Sequence, residues 1–365
     1  MEHVKKNVLK NCQYSLKNFM KNVNKQKKLH QNSFNFFIFR EIMIKIVYLT
    51  KNAENLAENV KTILDYYLYD SKLVKLSDFK KDGNESGYIF IMASGIVLRK
   101  FIDEIKNDKL KDPFVIIMDE AKNNIVPLLS NHIGKGNYFS ELIGNSLGLN
   151  IVKTTATDSN NKVGVDELSR IYFLEVPKRK DILLINKKLL SDKPELVLPN
   201  TFKPINNLDK SYNISFHDKN SILVDNVELF QKTVSIGIGS KRNIEKNKVY
   251  WAVKKALYLR DIPSWRIDIF STVDAKKNED GILKTTEKFK KNIIIFENNE
   301  INELYSKFPL KKSEFVYNTI GAYGVSEPCA ILGALSFKNE KNIDKVDLIL
   351  KKMKKNGVSV SIAIV

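Results

Sequence analysis

From Met43 onward, short apolar runs alternate with stretches whose apolar residues recur at helical spacing. That alternation constrains the fold more than any other feature. Strands are expected over 44–49, 88–92, 114–118 and 125–129, and helices over 55–68, 96–105 and 138–147. A chain that switches between periods of two and 3.6 at these lengths builds an open, mostly parallel α/β sheet flanked by helices. Asp119 and Glu120, in D-E-A-K-N-N between two of those strands, read as a hairpin turn rather than a catalytic carboxylate pair.

The alternation resumes after residue 233. V-S-I-G-I-G-S-K-R opens a second sheet, followed by a helix over 244–259, strands over 265–270 and 293–296, and a helix near 283–289. The chain closes on V-D-L-I-L-K, the Asn356-Gly357 turn and V-S-V-S-I-A-I-V, a β-hairpin signature. Between the two regular regions, 160–230 offers a helix over 181–190 and short extended pieces over 195–198, 212–216 and 221–224. The expected organisation is a multi-domain α/β protein. It comprises a disordered basic extension (1–42), an N-terminal α/β domain (43–160), a small middle domain (161–230) and a C-terminal α/β domain (231–365). Residues 1–42 lack the unbroken apolar core of a signal peptide.

Cys12 and Cys329 imply no disulfide framework, which fits a reducing cytoplasm. No apolar run reaches the roughly 20 residues of a membrane helix. Sixty basic against 42 acidic residues leave a net charge of +18, which attracts polyanions. The lysines are scattered rather than striped with aromatics, which disfavours nucleic acid; charge alone does not decide between a field for an anionic ligand and a plain lysine-rich surface.

The chemistry concentrates between residues 127 and 158. The strand over 125–129 runs into S-N-H-I-G-K-G-N and then a helix, so Ser130, His132 and Asn137 surround a glycine turn at a helix N-terminus. Such a turn cradles anions. Its side chains are expected in the crevice at the strand's carboxyl end. Thr154, Thr155, Thr157 and Asp158 form either an anion-binding loop or a capped turn. G-I-G-S-K-R is only half a dinucleotide fingerprint, so NAD is not expected. Its Gly237, Gly239, Lys241 and Arg242 could still hold a carboxylate. Ser326 reads as a helix N-cap and Glu327 as an acid favouring the helix dipole.

Several motifs together resemble the cobalt-precorrin-5A hydrolase (CbiG) family of anaerobic cobalamin biosynthesis. They are I-M-A-S-G-I-V-L-R (91–99), D-P (112–113), L-L-S-N-H-I-G-K-G-N (128–137) and T-T-A-T-D (154–158). In the last unit, G-I-G-S-K-R (237–242), T-V-D-A-K-K-N-E-D-G (272–281), G-V-S-E-P-C-A (324–330) and G-V-S-V-S-I-A-I (357–364) continue the series. The family pattern has glycines where this chain has Asn131 and Lys135, and a cysteine and a glycine where it has Ser240 and Asn243. The resemblance implies hydrolysis of the δ-lactone between the ring A acetate and C20 of cobalt-precorrin-5A. C20 then leaves with its methyl as acetaldehyde, giving cobalt-precorrin-5B. It implies no cofactor of the protein's own and no metal site, since cobalt arrives in the substrate, and neighbouring pathway enzymes as further partners. His132 is the expected general base, with Ser130 and Asn137 stabilising the oxyanion. Ser94, Lys135, Thr154, Thr155, Thr157, Asp158, Gly237, Gly239, Lys241, Arg242, Asp274, Lys276 and Glu327 are the expected substrate contacts. A non-catalytic tetrapyrrole carrier of the same fold is the alternative.

Overall fold

The structure is a computed structural model describing residues 43–365 apart from 84, 107, 109 and 206. The extension expected over 1–42 lies outside the described residues. The N-terminal unit contains β1 (Ile44–Tyr48), α1 (Lys51–Tyr66), β2 (Ser71–Lys75), β3 (Gly87–Ile91), α2 (Ser94–Lys100) and α3 (Ile102–Ile105). It continues with β4 (Phe114–Met118), β5 (Asn124–Leu129), α4 (Gly136–Leu147) and β6 (Asn150–Ile151). The strand order is β2-β1-β3-β4-β5-β6. The first four are parallel, whereas β5 folds back antiparallel on β4 and carries β6 parallel to itself.

Alternate residues of β1 serve opposite faces: Ile44 and Ile46 join the core under α1 and α4, and Val47 joins Phe90 and Val115 on the other side. Burial on both faces explains why these strands read as continuous apolar runs. Helix α1 starts four residues earlier than expected because the Thr50 hydroxyl caps it, accepting from the Ala53 amide at 3.2 Å. The single helix expected over 96–105 is two, α2 and α3. They break at Phe101, whose ring stacks on Phe90 at 5.5 Å and meets Phe79 edge-on at 5.0 Å. The edge strand β2 was not expected, because S-K-L-V-K buries only Val74.

The N-terminal unit ends with α5 (Ala156–Ser159), and the middle unit comprises α6 (Val165–Ile171), α7 (Arg179–Leu189), β7 (Glu195–Pro199), β8 (Asn213–His217), β9 (Ile222–Val224) and β10 (Val227–Leu229). Its four strands run in the order β10-β9-β7-β8. The C-terminal unit follows with β11 (Val234–Ser240), α8 (Lys246–Tyr258), β12 (Ile269–Val273), α9 (Asp280–Phe289) and β13 (Ile293–Phe296). Then come α10 (Asn298–Lys307), α11 (Glu314–Ile320), α12 (Ser326–Lys338), β14 (Asp347–Lys355) and β15 (Val358–Ile364). Strands β11, β12 and β13 are parallel, and the expected C-terminal hairpin, β14–β15, lies antiparallel against β11.

Gly237 and Gly239 sit inside β11 rather than on a ligand-binding turn. A Cβ at Gly237 would lie 1.9 Å from the Ser326 carbonyl oxygen and 2.5 Å from the Ala330 amide nitrogen. The glycine therefore lets α12 rest directly on the sheet. Gly237→Ala is expected to destabilise the protein by about 1–3 kcal/mol or more, read as a lower urea midpoint; an unchanged midpoint would mean that α12 is not seated there. Ser326 is not the cap of α12 either. It is the helix's first residue, and its buried hydroxyl accepts from Ser361 at 3.0 Å.

Candidate active site between the N-terminal and middle units

Because β5 runs against β4, its carboxyl end lies beside the amino ends of β3 and β4. The glycine turn after Leu129 is therefore at that edge, and β6 delivers T-T-A-T-D to the same edge. Ser94 follows β3, is exposed, and stands at the opposite edge of the sheet. The sheet's carboxyl ends thus split into two groups, and only the β5–β6 group carries the turn.

The turn is held tightly. The amides of Lys135, Gly136 and Asn137 bond to the carbonyls of His132, Ser130 and Asn131. Ser130 and Lys135 take left-handed φ values of 54° and 73°. Two non-glycine residues in that region within one turn store strain, a common property of functional loops. Gly134 is required by close approach: a Cβ there would lie 2.5 Å from that of Ser130. The Ser130 hydroxyl donates to the Asp112 carbonyl at 2.8 Å, pinning the turn to the D-P segment. Ile133 packs against the core of the middle unit, so the turn bridges the two units.

His132 sits between carboxylates. Its Nδ1 lies 3.5 Å from Glu167 Oε2, and its Nε2 lies 3.9 Å from Asp158 Oδ2 and 3.4 Å from Thr155 Oγ1. Burial disfavours the imidazolium, but Glu167, Asp166 and Asp158 outweigh it and raise the imidazole above its ordinary 6.5. Asp158 is the hub of the opposite wall: Asn137 Nδ2 donates to both its oxygens at 3.1 Å, and the Thr155 hydroxyl at 2.5 Å. Thr155 also caps the short α5, accepting from the Asp158 amide. The Thr157 hydroxyl lies 3.2 Å from that of Thr155, and Thr154 is exposed. The loop is thus a capped turn that also presents Asp158 to the site.

A cleft of about 740 Å³ opens beside these residues. Asn137, Glu141, Lys153 and Asp158 line it from the N-terminal unit, and Lys162, Glu167, Arg170 and Lys210 from the middle unit. His132 stands just behind, 11% exposed, with both its carboxylate partners in the wall. Eight buried side-chain polar atoms among the described residues lack a hydrogen-bond partner, and five belong here: Asn131 Oδ1, His132 Nδ1, Asn137 Oδ1, Ser140 Oγ and Glu167 Oε2. Orphaned polar atoms are costly to bury, so this concentration marks the place built for a reason other than stability.

Glu167 and Arg170 were not anticipated. In V-D-E-L-S-R-I their i,i+3 spacing looks like an ordinary surface pair on a helix. Both are instead largely buried, and Arg170 donates Nε and Nη2 to the same Glu167 oxygen at 3.1 and 2.6 Å. Burial alone would raise Glu167, but His132 and Arg170 hold it at about 2. Lys135 is partly buried. Desolvation, then Arg170 and Arg260, lower its ammonium to about 8.

The other expected contacts lie apart and do not line this cleft. Lys241 and Arg242 are exposed beyond β11. Asp274 pairs with Lys277 at 2.9 Å, and buried Lys276 with Glu279 at 3.5 Å. Glu327 accepts the Lys352 amide at 3.2 Å, which turns it toward β14. Among the described residues no group of three or more His, Cys, Asp or Glu side chains could hold a metal ion. No described helix is long and apolar enough to cross a membrane.

Two family profiles match this chain. The one described as Cobalamin synthesis G N-terminal covers residues 82–158, and Cobalamin synthesis G C-terminus covers residues 234–363. A protein of Methanocaldococcus jannaschii named "Probable cobalt-precorrin-5A hydrolase" is 56% identical over 323 residues, 88% of this chain and 99% of that protein. The chain belongs to the CbiG family. The cobalt-precorrin-5A hydrolase of Priestia megaterium is 24% identical over 306 residues, 76% of this chain and 78% of its own length. The crystal structure of a cobalamin biosynthesis protein G homolog from Sulfolobus solfataricus superposes with a TM-score of 0.54 at 19% identity. It covers 89% of this chain and 97% of its own, which supports the same α/β fold. Within the family motif, L-L-S-N-H-I-G-K-G-N supplies His132 and the turn, and T-T-A-T-D supplies Asp158. The N-terminal profile ends at residue 158, before Glu167 and Arg170.

Proposed function

We propose that this CbiG protein is a cobalt-precorrin-5A hydrolase of cobalamin biosynthesis, and that it works in the cleft beside His132. The extensive identity to a protein of that name supports the activity. The observation that supports this site is His132 itself, a histidine held between two carboxylates at the edge of that cleft. Water attacks the lactone carbonyl as His132 takes its proton. The carbonyl's developing oxyanion is met by the amides of Ile133 and Gly134, which have no acceptor among the described residues. Asn137 and Ser130 act by holding Asp158 and the turn in place, since both already donate within the protein. Collapse of the tetrahedral intermediate breaks the acyl–oxygen bond and leaves a ring A acetate and a C20 alkoxide, which His132 protonates. Return of that proton to His132 then breaks the one bond between C20 and the macrocycle: C20 leaves with its methyl as acetaldehyde, and the electron pair of that bond stays on the conjugated macrocycle, which takes up a proton.

Cobalt enters with the substrate and the protein supplies no cofactor of its own. Lys153, Lys162, Arg170 and Lys210 give the cleft cations for the peripheral acetates and propionates. The chain acts in the cytoplasm. Anaerobic incubation with cobalt-precorrin-5A tests the reading: one acetaldehyde per macrocycle is expected, and macrocycle bound intact with none released would mean a carrier.

The imidazole's surroundings fix the pH dependence. A base must be neutral to accept a proton, and His132 holds its own above 6.5. The acid limb of kcat/KM is therefore expected above the ordinary histidine range, activity rising with pH through it. The same shift has a stability consequence of opposite sense. The stabilisation from imidazolium pairing is complete below about 6.5 and is lost as pH rises through the folded-state value. An acid limb at or below 6.5 would show that the titrating base is another group.

A further inference from the structure

We propose that Glu167, contributed by the middle unit and clamped by Arg170, is the positioning residue that orients His132 across the cleft. The inference rests on His132 being the proton-transfer group. Arg170 spends both its donated hydrogen bonds on one Glu167 oxygen, which leaves Oε2 buried and free of any hydrogen bond. That bare oxygen faces His132 Nδ1 at 3.5 Å, an atom equally buried and equally without a hydrogen-bond partner. Two complementary orphan atoms at that separation are one small movement from a hydrogen bond. Once formed, it keeps the proton on Nδ1 and turns Nε2, as acceptor, toward the side of Thr155 and of Asp158, which lines the cleft.

Arg170 is itself backed from the third unit. It lies over the Tyr138 ring at 5.4 Å, the Tyr138 hydroxyl meets that of Tyr69 at 3.2 Å, and Arg260 covers the Tyr69 ring at 4.2 Å. Arg260 donates to the Tyr67 and Leu68 carbonyls at 2.7 and 3.0 Å, fastening the C-terminal unit to this chain of contacts. All three units therefore bear on one imidazole. The charged groups facing it are Glu167 and Asp166 on α6 and Asp158 at α5, with Arg170 behind Glu167.

The test follows the His132 ring proton by NMR through a pH titration of the ligand-free protein, assigned with His132→Asn, in wild type, Glu167→Gln and Glu167→Asp. Glu167→Gln should lower the His132 midpoint by about one pH unit or more. It should move the acid limb of acetaldehyde release down by the same amount. Glu167→Asp keeps the charge and should restore most of the midpoint. Arg170→Lys, which keeps a cation but loses the fork, should fall between wild type and Glu167→Gln. A His132 midpoint that is the same in wild type and Glu167→Gln overturns the proposal, and so does an acid limb that stays put. Failure of the wild type to release acetaldehyde would sink the hydrolase reading instead, and the titration would still decide whether Glu167 governs the imidazole.

Discussion

Replacing His132 with alanine is expected to lower acetaldehyde release by about a hundredfold or more, the usual contribution of a positioned acid–base group. Folding should survive. The imidazole is held by charged contacts rather than packing, and its removal relieves an orphaned buried nitrogen while leaving Asp158 with its bonds from Asn137 and Thr155. The loss should fall on kcat, with KM little changed, because a proton-transfer group acts in the transition state rather than in binding. Turnover of the alanine variant within a factor of two or three of wild type would remove His132 from the mechanism. Asp158 would then be the next group to replace, as the other cleft-facing acceptor at the turn.

The largest stability effect is expected far from the cleft, at Lys45. Period-two alternation places this lysine on the second face of β1, 5% exposed among apolar side chains. Its ammonium donates to Asp82 Oδ2 and the Lys80 carbonyl at 2.6 Å and lies 2.5 Å from Glu85 Oε1. Lys45→Ala would strand Glu85, whose side chain is 2% exposed, and should cost about 3–5 kcal/mol. The sign with pH follows from Glu85. Burial alone would raise it, but Lys45, nearby amides and the Tyr88 hydroxyl bring it from 4.5 to about 2. The stabilisation is therefore present above pH 4.5 and is lost as pH falls from there toward 2. A double change to apolar residues, Lys45→Met with Glu85→Leu, should recover most of the loss, since neither charge is then left alone. Urea midpoints measured at pH 7 and pH 3 separate these cases. A Lys45→Ala midpoint equal to wild type at pH 7 would show that the ion pair contributes nothing.

Much of this architecture was legible because the relevant signals are local. Strands buried on both faces appear as unbroken apolar runs, and Asn356-Gly357 marks the closing hairpin. The glycine turn between β5 and α4 likewise announced a polar site. What the sequence hid is mostly direction and partnership. The hairpin reading of D-E-A-K-N-N already ran β5 against β4, as the structure has it, but nothing local shows that this reversal sends Ser94 to the opposite edge from His132. Gly237 was expected to serve a ligand and instead lets α12 approach, a contact that involves residues nearly ninety positions later. Glu167 and Arg170 were missed because a buried, clamped carboxylate and an exposed helix pair share the same i,i+3 spacing. Only the packing of the middle unit against the turn distinguishes them.

The central claim, that water opens the lactone at its carbonyl, is tested most directly by one turnover in water enriched in oxygen-18. The product macrocycle should lose two carbons as acetaldehyde and retain one heavy oxygen, located in the ring A acetate. Release of acetaldehyde with no label in that carboxylate would mean that the acyl–oxygen bond was not hydrolysed, and would contradict the mechanism assigned to His132 and its turn.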